Sequence, residues 1–245
     1  MNQTTDEQDF WLFGYGSLIW KPPPHYDQRI PGYIEGPGKF ASPLTTPLAI
    51  SPKAYAVCSE DHRGTPEAPG RVVTLIERSF WDTLGDKYHA ADKQVWGTAY
   101  HIIPAKVKEV REYLDIREIN GYSIQYTKFY PAENGKVPIH CLVYIGLPSN
   151  PQFVGVQEPQ ALAEWIYQSI GPSGPNKDYL LMLEESLVHL SRESGDGHIS
   201  DLATRVKRLE TERGVDDGAI QPHVIGSELR KVGSTEEQEE IEKDL

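Results

Sequence analysis

Residues 10–18 read FWLFGYGSL, an apolar run that leads directly into a turn containing two glycines. We expect a short strand over 10–13, followed by a tight turn over 14–17. Two glycines in three positions allow positive φ angles and the close approach of a ligand. Successive N–H groups in such a turn can form a concave anion site, and the Ser17 hydroxyl can add a donor. Because the pattern is neither a P-loop nor a dinucleotide fingerprint, it predicts an anion site or an ordinary turn.

The rest of the chain shows strand patterns first and helix patterns mostly later. β-Branched or alternating apolar runs predict strands over 71–76, 95–103, 122–130 and 139–146. Amphipathic segments predict helices over 105–118, 159–170, 178–190 and 199–210. Only one helix interrupts the strands, which indicates a mixed α+β domain and not a repeated βαβ sheet.

The composition of the 245-residue chain excludes several classes of partner. The formal net charge is -12, which disfavours nucleic acid and anionic membranes. No run approaches the ~18–20 apolar residues that span a bilayer, and the polar, acidic start resembles neither a secretory signal nor a transit peptide. We therefore expect a cytoplasmic protein. Two cysteines, Cys58 and Cys141, provide no metal-ligand spacing and no disulfide framework.

Glu118 is a candidate acid or base at the end of the first predicted helix. It follows Val107, Val110 and Leu114 along one helical face, so a carboxylate ends an apolar stripe. Burial there would raise its pKa and make it a better proton acceptor near neutral pH. The alternative is a helix-end glutamate that pairs with a neighbouring cation or faces water.

Tyr179 is a second candidate, in the first turn of the helix over 178–190. It follows a loop of turn-forming residues over 171–176, so its hydroxyl can point into a cleft. A tyrosine at such a position also packs with its tip in water, and this interpretation stays open. No Gly-x-Ser-x-Gly nucleophile elbow is present, although a Ser-His-Asp triad is left open.

Taken together, these segments resemble the ChaC-type γ-glutamylcyclotransferases. The matching stretches occur in the family's order and are Phe13-Gly14-Tyr15-Gly16-Ser17-Leu18-Ile19-Trp20-Lys21-Pro22, Asp61-His62-Arg63-Gly64-Thr65-Pro66, Pro69-Gly70-Arg71-Val72, Tyr113-Leu114-Asp115-Ile116-Arg117-Glu118, Phe129-Tyr130-Pro131, and Gly171-Pro172-Ser173-Gly174 with Asn176, Tyr179 and Leu180. The first and the Tyr113–Glu118 stretch are the most specific.

The resemblance implies a small mixed β-barrel flanked by α-helices, without metal or cofactor, over residues 10–212. It implies that Tyr15, Gly16, Ser17 and Leu18 hold a γ-glutamyl group, chiefly by its α-carboxylate. Glu118 matches the family's catalytic acid/base, and Tyr179 matches a tyrosine that lines the substrate pocket. The implied reaction converts glutathione into 5-oxoproline and cysteinylglycine, whereas the polar, acidic residues 213–245 are expected to be a disordered tail.

One carboxylate is enough for this chemistry. The substrate's own α-amino group can close a five-membered ring on its γ-carbonyl carbon, so no enzyme nucleophile is needed. At pH 7 that amine is mostly ammonium, because an α-amino group has a pKa of about 7.7–8. A single glutamate can take this proton and later return one to the departing nitrogen.

The resemblance fails over residues 37–58. The family has an aromatic, Arg-rich strand here, whereas this chain carries Pro43, Pro47 and Pro52, which are poor residues for a central strand. We interpret the stretch as an atypical insertion or a replaced strand, and translated intron and surface loop are both open explanations. Functional alternatives are a cyclotransferase for other γ-glutamyl amines or dipeptides, and a γ-glutamyl-binding protein with impaired catalysis. The sequence is silent on oligomeric state.

Overall fold

A computed structural model describes residues 9–35, 50–59, 62–84, 94–117, 122–150 and 152–216. The strands, in chain order from β1 to β9, are Trp11–Gly14, Tyr26–Glu35, Ile50–Ser59, Gly70–Glu77, Gln94–Ile102, Tyr122–Pro131, Ile139–Gly146, Ile170–Gly171 and Gly174–Pro175. The helices, from α1 to α5, are Arg78–Trp81, Val107–Arg117, Pro159–Gln168, Asn176–Leu190 and Gly197–Asp216. Short 3-10 helices cover Ser17–Ile19 and Pro104–Lys106.

Five strands close into a barrel in the order β1-β5-β2-β6-β7, and β1 returns to β7. Four of the pairings are antiparallel, whereas the closing pair is parallel, with Leu12 opposite Leu142. β4 joins this ring through a parallel pairing with β7, with Ile76 opposite Gly146, and β3 pairs only with β4 in the described sheet. The predicted mixed barrel flanked by helices is thereby confirmed.

β1 is buried on both faces, which explains why its sequence is continuously apolar. Trp11 and Phe13 point into the barrel, where they meet residues of the other ring strands and of β4. Phe10 and Leu12 point outward into a second cluster, which packs α2 against the barrel wall. The first strand therefore joins two parts of the core, and its C-terminal end is held in a fixed position.

The helices α3, α4 and α5 form a third buried cluster on another side of the barrel. Their apolar faces pack together with Ile19 from the turn after β1 and Trp96 from β5. The first turn of α4 contributes Tyr179 and Leu180 to this cluster. The packing fixes the N-terminus of α4 next to the segment that follows β1.

Most predicted elements are confirmed with end shifts of one or two residues, and the helix predicted over 199–210 extends to Asp216. β2 was not predicted, because its first half is exposed and Pro31 and Gly32 interrupt its pattern. β3 begins at Ile50, and its register with β4 is irregular between Ser51 and Tyr55, around Pro52. The interpretation of 37–58 as an insertion or replaced strand stays a prediction, since 36–49 lies outside the described residues. The tail beyond residue 216 also lies outside them.

The apolar stripe predicted on α2 is confirmed where it is described. Val107, Val110 and Leu114 are buried in the cluster between α2 and the barrel. The helix ends at Arg117, and Glu118 lies outside the described residues. Within the described ranges, every helix is too short or too polar to cross a bilayer.

Glu158 provides a test of how the helical layer is stabilised. Its carboxylate caps α3 by accepting the N–H groups of Gln160 and Ala161 at 3.0 and 2.8 Å, and these bonds lower its pKa. A lowered pKa in the folded state stabilises the fold above the ordinary glutamate pKa of about 4.3, and this contribution disappears as the pH falls through the folded value. Glu158→Ala should therefore lower the melting temperature at pH 7, and the difference from the unsubstituted protein should be smaller at about pH 3, below the ordinary glutamate pKa.

Thermal unfolding followed by circular dichroism at several pH values measures this difference. Glu185→Ala removes an exposed carboxylate from α4 and serves as the control. An equal loss of stability at both pH values would contradict the capping role of the Glu158 carboxylate.

Candidate active site

The two glycines of the turn after β1 are closely surrounded by other residues. A Cβ atom on Gly14 would lie 2.5 Å from the Cβ of Leu18, and one on Gly16 would lie 3.0 Å from the Cγ2 of Val73. The prediction that these glycines adopt positive φ is wrong, because neither is among the positive-φ residues and Gly16 has φ -124°. Close packing requires glycine at position 14 and favours it at position 16, which precedes the 3-10 helix Ser17–Ile19.

Tyr179 reaches this turn from the first turn of α4. Its hydroxyl accepts the backbone N–H of Val73 at 3.3 Å, and it would lie 3.4 Å from a Cβ on Gly16. Trp20 packs edge-on against the Tyr179 ring at 5.5 Å between centroids. The structure therefore brings together two candidates that the sequence placed far apart, Gly16 and Tyr179.

Asn176 fixes the start of α4. Its side-chain amide accepts the N–H of Arg71 and donates to the C=O of Arg71, both at 2.7 Å, as a neighbouring strand would do. The Asn176 backbone N–H also donates to the C=O of Ser169. Since Asn176 is fully buried, these bonds replace water and hold Tyr179, one turn later, against β4.

The loop that contains Arg63 completes this side of the site. Ser173 donates its N–H to the C=O of His62, and Arg63 donates to the C=O of Pro175 at 3.2 Å. The Arg63 guanidinium carbon lies 5.8 Å from the centroid of the Tyr179 ring, within the range of a cation–π contact. Two sequence-matched loops thus meet around Tyr179, and Arg63 adds a positive group that was not among the predicted site residues.

The other predicted binding residues contribute differently. The Tyr15 side chain packs beside the barrel cluster and donates its hydroxyl to the C=O of Tyr144 at 3.2 Å. Leu18 is buried in the cluster shared with α2, and Ser17 begins the 3-10 helix. Tyr15 and Leu18 therefore anchor the turn with their side chains, which leaves their main-chain groups as the candidates for ligand contact.

Glu118 directly follows the described end of α2, and no contact of its side chain is described. The Leu114 side chain, one turn earlier, shares a buried cluster with Leu18 of the turn. Among the described residues, no three histidine, cysteine, aspartate or glutamate side chains form a potential metal-binding group. Cys141 is buried in the barrel, where desolvation raises the pKa of its thiol well above the usual range.

The sequence does not reveal the roles of some residues around the candidate site. Val73 acts through its backbone N–H, which every non-proline residue has. Trp20 contacts the Tyr179 ring, and sequence alone does not distinguish such a tryptophan from one in the core. Asn176 belongs to a recognisable loop motif, and only the paired strand beside it reveals why an amide is needed there.

The arrangement combines a short amide-rich turn, a tyrosine hydroxyl and a nearby guanidinium in an anionic protein. Such groups suit a small ligand that carries a carboxylate. The chain belongs to the ChaC-like protein family, whose model matches residues 10–209.

Two relatives and one solved structure are similar to this chain over most of their own length. A glutathione-specific γ-glutamylcyclotransferase of Schizosaccharomyces pombe is 38% identical over 211 residues, which cover 85% of this chain and 97% of that protein. One of the same name from Saccharomyces cerevisiae is 35% identical and covers 81% and 94%. A crystal structure of a yeast glutathione-specific γ-glutamylcyclotransferase superposes with a TM-score of 0.68 at 31% identity, covering 82% of this chain and 96% of that one.

Asn176→Ala should destabilise the protein by about 2 to 4 kcal/mol, because it leaves two buried backbone groups of Arg71 unpaired. Chemical denaturation measures the change in the free energy of unfolding. Gln168→Ala, at an exposed position of α3, is the control and should stay within about 0.5 kcal/mol of the unsubstituted protein. A loss of stability for Asn176→Ala no larger than that of the control would refute the role of the Asn176 amide in holding α4 against β4.

Proposed function

We propose that this chain is a γ-glutamylcyclotransferase that cleaves glutathione into 5-oxoproline and cysteinylglycine. The observation that carries this proposal is the contact between the glycine turn and Tyr179, two separate motifs of the resemblance that meet at one point. The ChaC-like family and the relatives named for this reaction support it. We place the reaction in the cytosol, where glutathione keeps thiols reduced.

In this proposal, the turn over Tyr15, Gly16, Ser17 and Leu18 holds the γ-glutamyl group. Main-chain amides of the turn bind the α-carboxylate, because the Tyr15 and Leu18 side chains are used for anchoring. Tyr179 already accepts an N–H with its oxygen, so its own proton is directed to another acceptor, for which a substrate oxygen is suited. Local donors of this kind attract an anion despite the net charge of -12.

Glu118 acts as the general acid/base. Its carboxylate removes a proton from the α-ammonium group of the substrate, and the amine nitrogen then forms a bond with the γ-carbonyl carbon. The bond between this carbon and the cysteinyl nitrogen breaks, while Glu118 returns the proton to the departing nitrogen and the ring nitrogen loses its second proton to solvent. No water is consumed and no cofactor takes part, and holding the chain folded back gives the advantage of an oriented intramolecular attack.

Glu118→Gln should reduce 5-oxoproline formation by at least about a hundredfold, because an amide cannot transfer the proton. Mass-spectrometric detection of 5-oxoproline after incubation with glutathione measures the rate. Glu112→Gln is the matched control, since Glu112 is an exposed carboxylate on α2 that lies 3.8 Å from Lys108.

Normal turnover by Glu118→Gln would remove this residue from the mechanism, provided that Glu112→Gln is also fully active. The same assay with γ-glutamyl-alanine separates a glutathione-specific enzyme from one that accepts other γ-glutamyl amines. Titration calorimetry that detects glutathione binding, with no 5-oxoproline released by the unsubstituted chain, would identify a binding protein instead.

Tyr179→Phe should lower kcat/KM for glutathione roughly tenfold, because it removes one hydrogen bond to the substrate and the acceptor for the Val73 N–H. Steady-state kinetics measures this loss. Tyr126→Phe is the control, since the Tyr126 hydroxyl also accepts an N–H, from Arg111, on the exposed side of β6. Equal kinetics of the two variants would argue against a role of the Tyr179 hydroxyl at the site.

A further inference from the structure

Arg29 and Tyr100 contact the carbonyl groups of the segment that follows the glycine turn. The two residues are direct cross-strand partners of β2 and β5, so their side chains extend from the same face of the barrel wall. Arg29 Nε is 3.5 Å from the Tyr100 hydroxyl, and the Arg29 guanidinium donates to the C=O of Ile19 at 3.2 Å. Tyr100 is fully buried and donates to the C=O of Leu18 at 2.6 Å. Both carbonyl groups belong to the segment that follows the glycine turn.

The bond from Tyr100 begins a chain of peptide groups that runs through the turn. It ends on the C=O of Leu18, and the N–H of the same peptide group, on Ile19, donates to the C=O of Gly16 at 2.9 Å. That C=O shares its peptide group with the N–H of Ser17. The Tyr100 hydroxyl is thus connected, through two aligned peptide groups, to an amide of the proposed carboxylate site.

A parallel chain begins at Arg29. The guanidinium donates to the C=O of Ile19, and the N–H of that peptide group, on Trp20, donates to the C=O of Ser17 at 3.1 Å. This C=O shares its peptide group with the N–H of Leu18. Each bond in such a chain polarises the next, so a cation at one end makes the last N–H a stronger donor.

We propose that Arg29, together with Tyr100, is a positioning residue that orients and polarises the Ser17 and Leu18 amides for the α-carboxylate of the substrate. The inference rests on the proposed function, because it assumes that these amides meet that carboxylate. Arg29 does not touch the substrate. It acts through its hydrogen bonds to the C=O of Ile19 and to the Tyr100 hydroxyl, which set the orientation of the peptide groups in the turn.

The environment of each partner suits this role. Burial raises the pKa of the Tyr100 hydroxyl, so it stays protonated and remains a donor at neutral pH. Arg29 is exposed along its strand, beside a groove of about 600 Å³ that also borders Ile19 and Trp20. Because solvent screens an exposed charge, the expected effect on binding is roughly three- to tenfold and not a complete loss.

The test compares two ligands in the Glu118→Gln background, where glutathione is bound but not consumed. One ligand is glutathione, and the other is glutathione whose γ-glutamyl α-carboxylate is converted to an amide. Titration calorimetry should show that adding Arg29→Gln weakens glutathione binding roughly three- to tenfold. The affinity for the amide analogue should stay the same, because it lacks the charge that the polarised amides bind. In the active enzyme, Arg29→Gln should raise KM and leave kcat nearly unchanged.

Arg208→Gln is the control, since it removes the same charge from an exposed position on α5. It should leave both affinities unchanged. If Arg29→Gln does not fold, Arg29→Met provides the same comparison, because it also removes the charge and the donors while keeping an unbranched side chain. Equal weakening of both ligands, or no weakening of either, would overturn the positioning role. A lack of glutathione binding and turnover in the chain with native Arg29 and Glu118 would instead refute the proposed function itself.

Discussion

The space between Val73 and Tyr179 is so narrow that any side chain at position 16 would press on both residues, and the geometry of the candidate site depends on this close approach. Gly16 fills that space, so the turn after β1, the β4 backbone and the start of α4 come into contact at one point. Three elements from distant parts of the sequence must be placed correctly for this to occur. The barrel places β1, and the Asn176 side chain places α4.

The proposed function requires a protein with a strongly negative net charge to bind an acidic ligand. The nearby positive character comes from oriented peptide groups and from a few arginines whose neighbours are fixed. Such dipoles are positioned by the fold before a ligand arrives, so they need little reorganisation on binding. The attraction therefore acts locally, within a hydrogen bond's reach, and the overall charge of the chain matters little at that distance.

The sequence predicted those parts of the fold whose side-chain pattern is regular. β7 has the predicted bounds, and the stripe of Val107, Val110 and Leu114 faces the barrel as its spacing indicates. β2 was missed, because half of its length is exposed and shows no apolar alternation. Strand order was also beyond reach, since the parallel closure of β1 on β7 depends on one pairing between distant segments.

For the candidate site, the sequence pointed to the turn and to Tyr179, which the structure brings together, whereas the positive φ angles expected for Gly14 and Gly16 are not found. A positive φ angle and a lack of space both favour glycine, and only coordinates tell the two apart. Backbone donors such as the Val73 N–H leave no trace in residue identity. Asn176 is an intermediate case. Its loop motif marks the residue in the sequence, but only its hydrogen bond to Arg71 in the structure explains why an asparagine is needed.

β3 is the last strand of the described sheet and pairs only with β4, and this position bears on how the protein can diverge from its relatives. Because β3 pairs with β4 and the ring closes without either strand, the segment before β3 can change in length and composition while the closure remains intact. Substitutions and length changes in the segment before β3 can therefore accumulate during evolution at small structural cost. Arg71 and Val73, which hold Asn176 and Tyr179, lie on β4 beside β3, so the pairing of these two strands is the part that such changes must preserve.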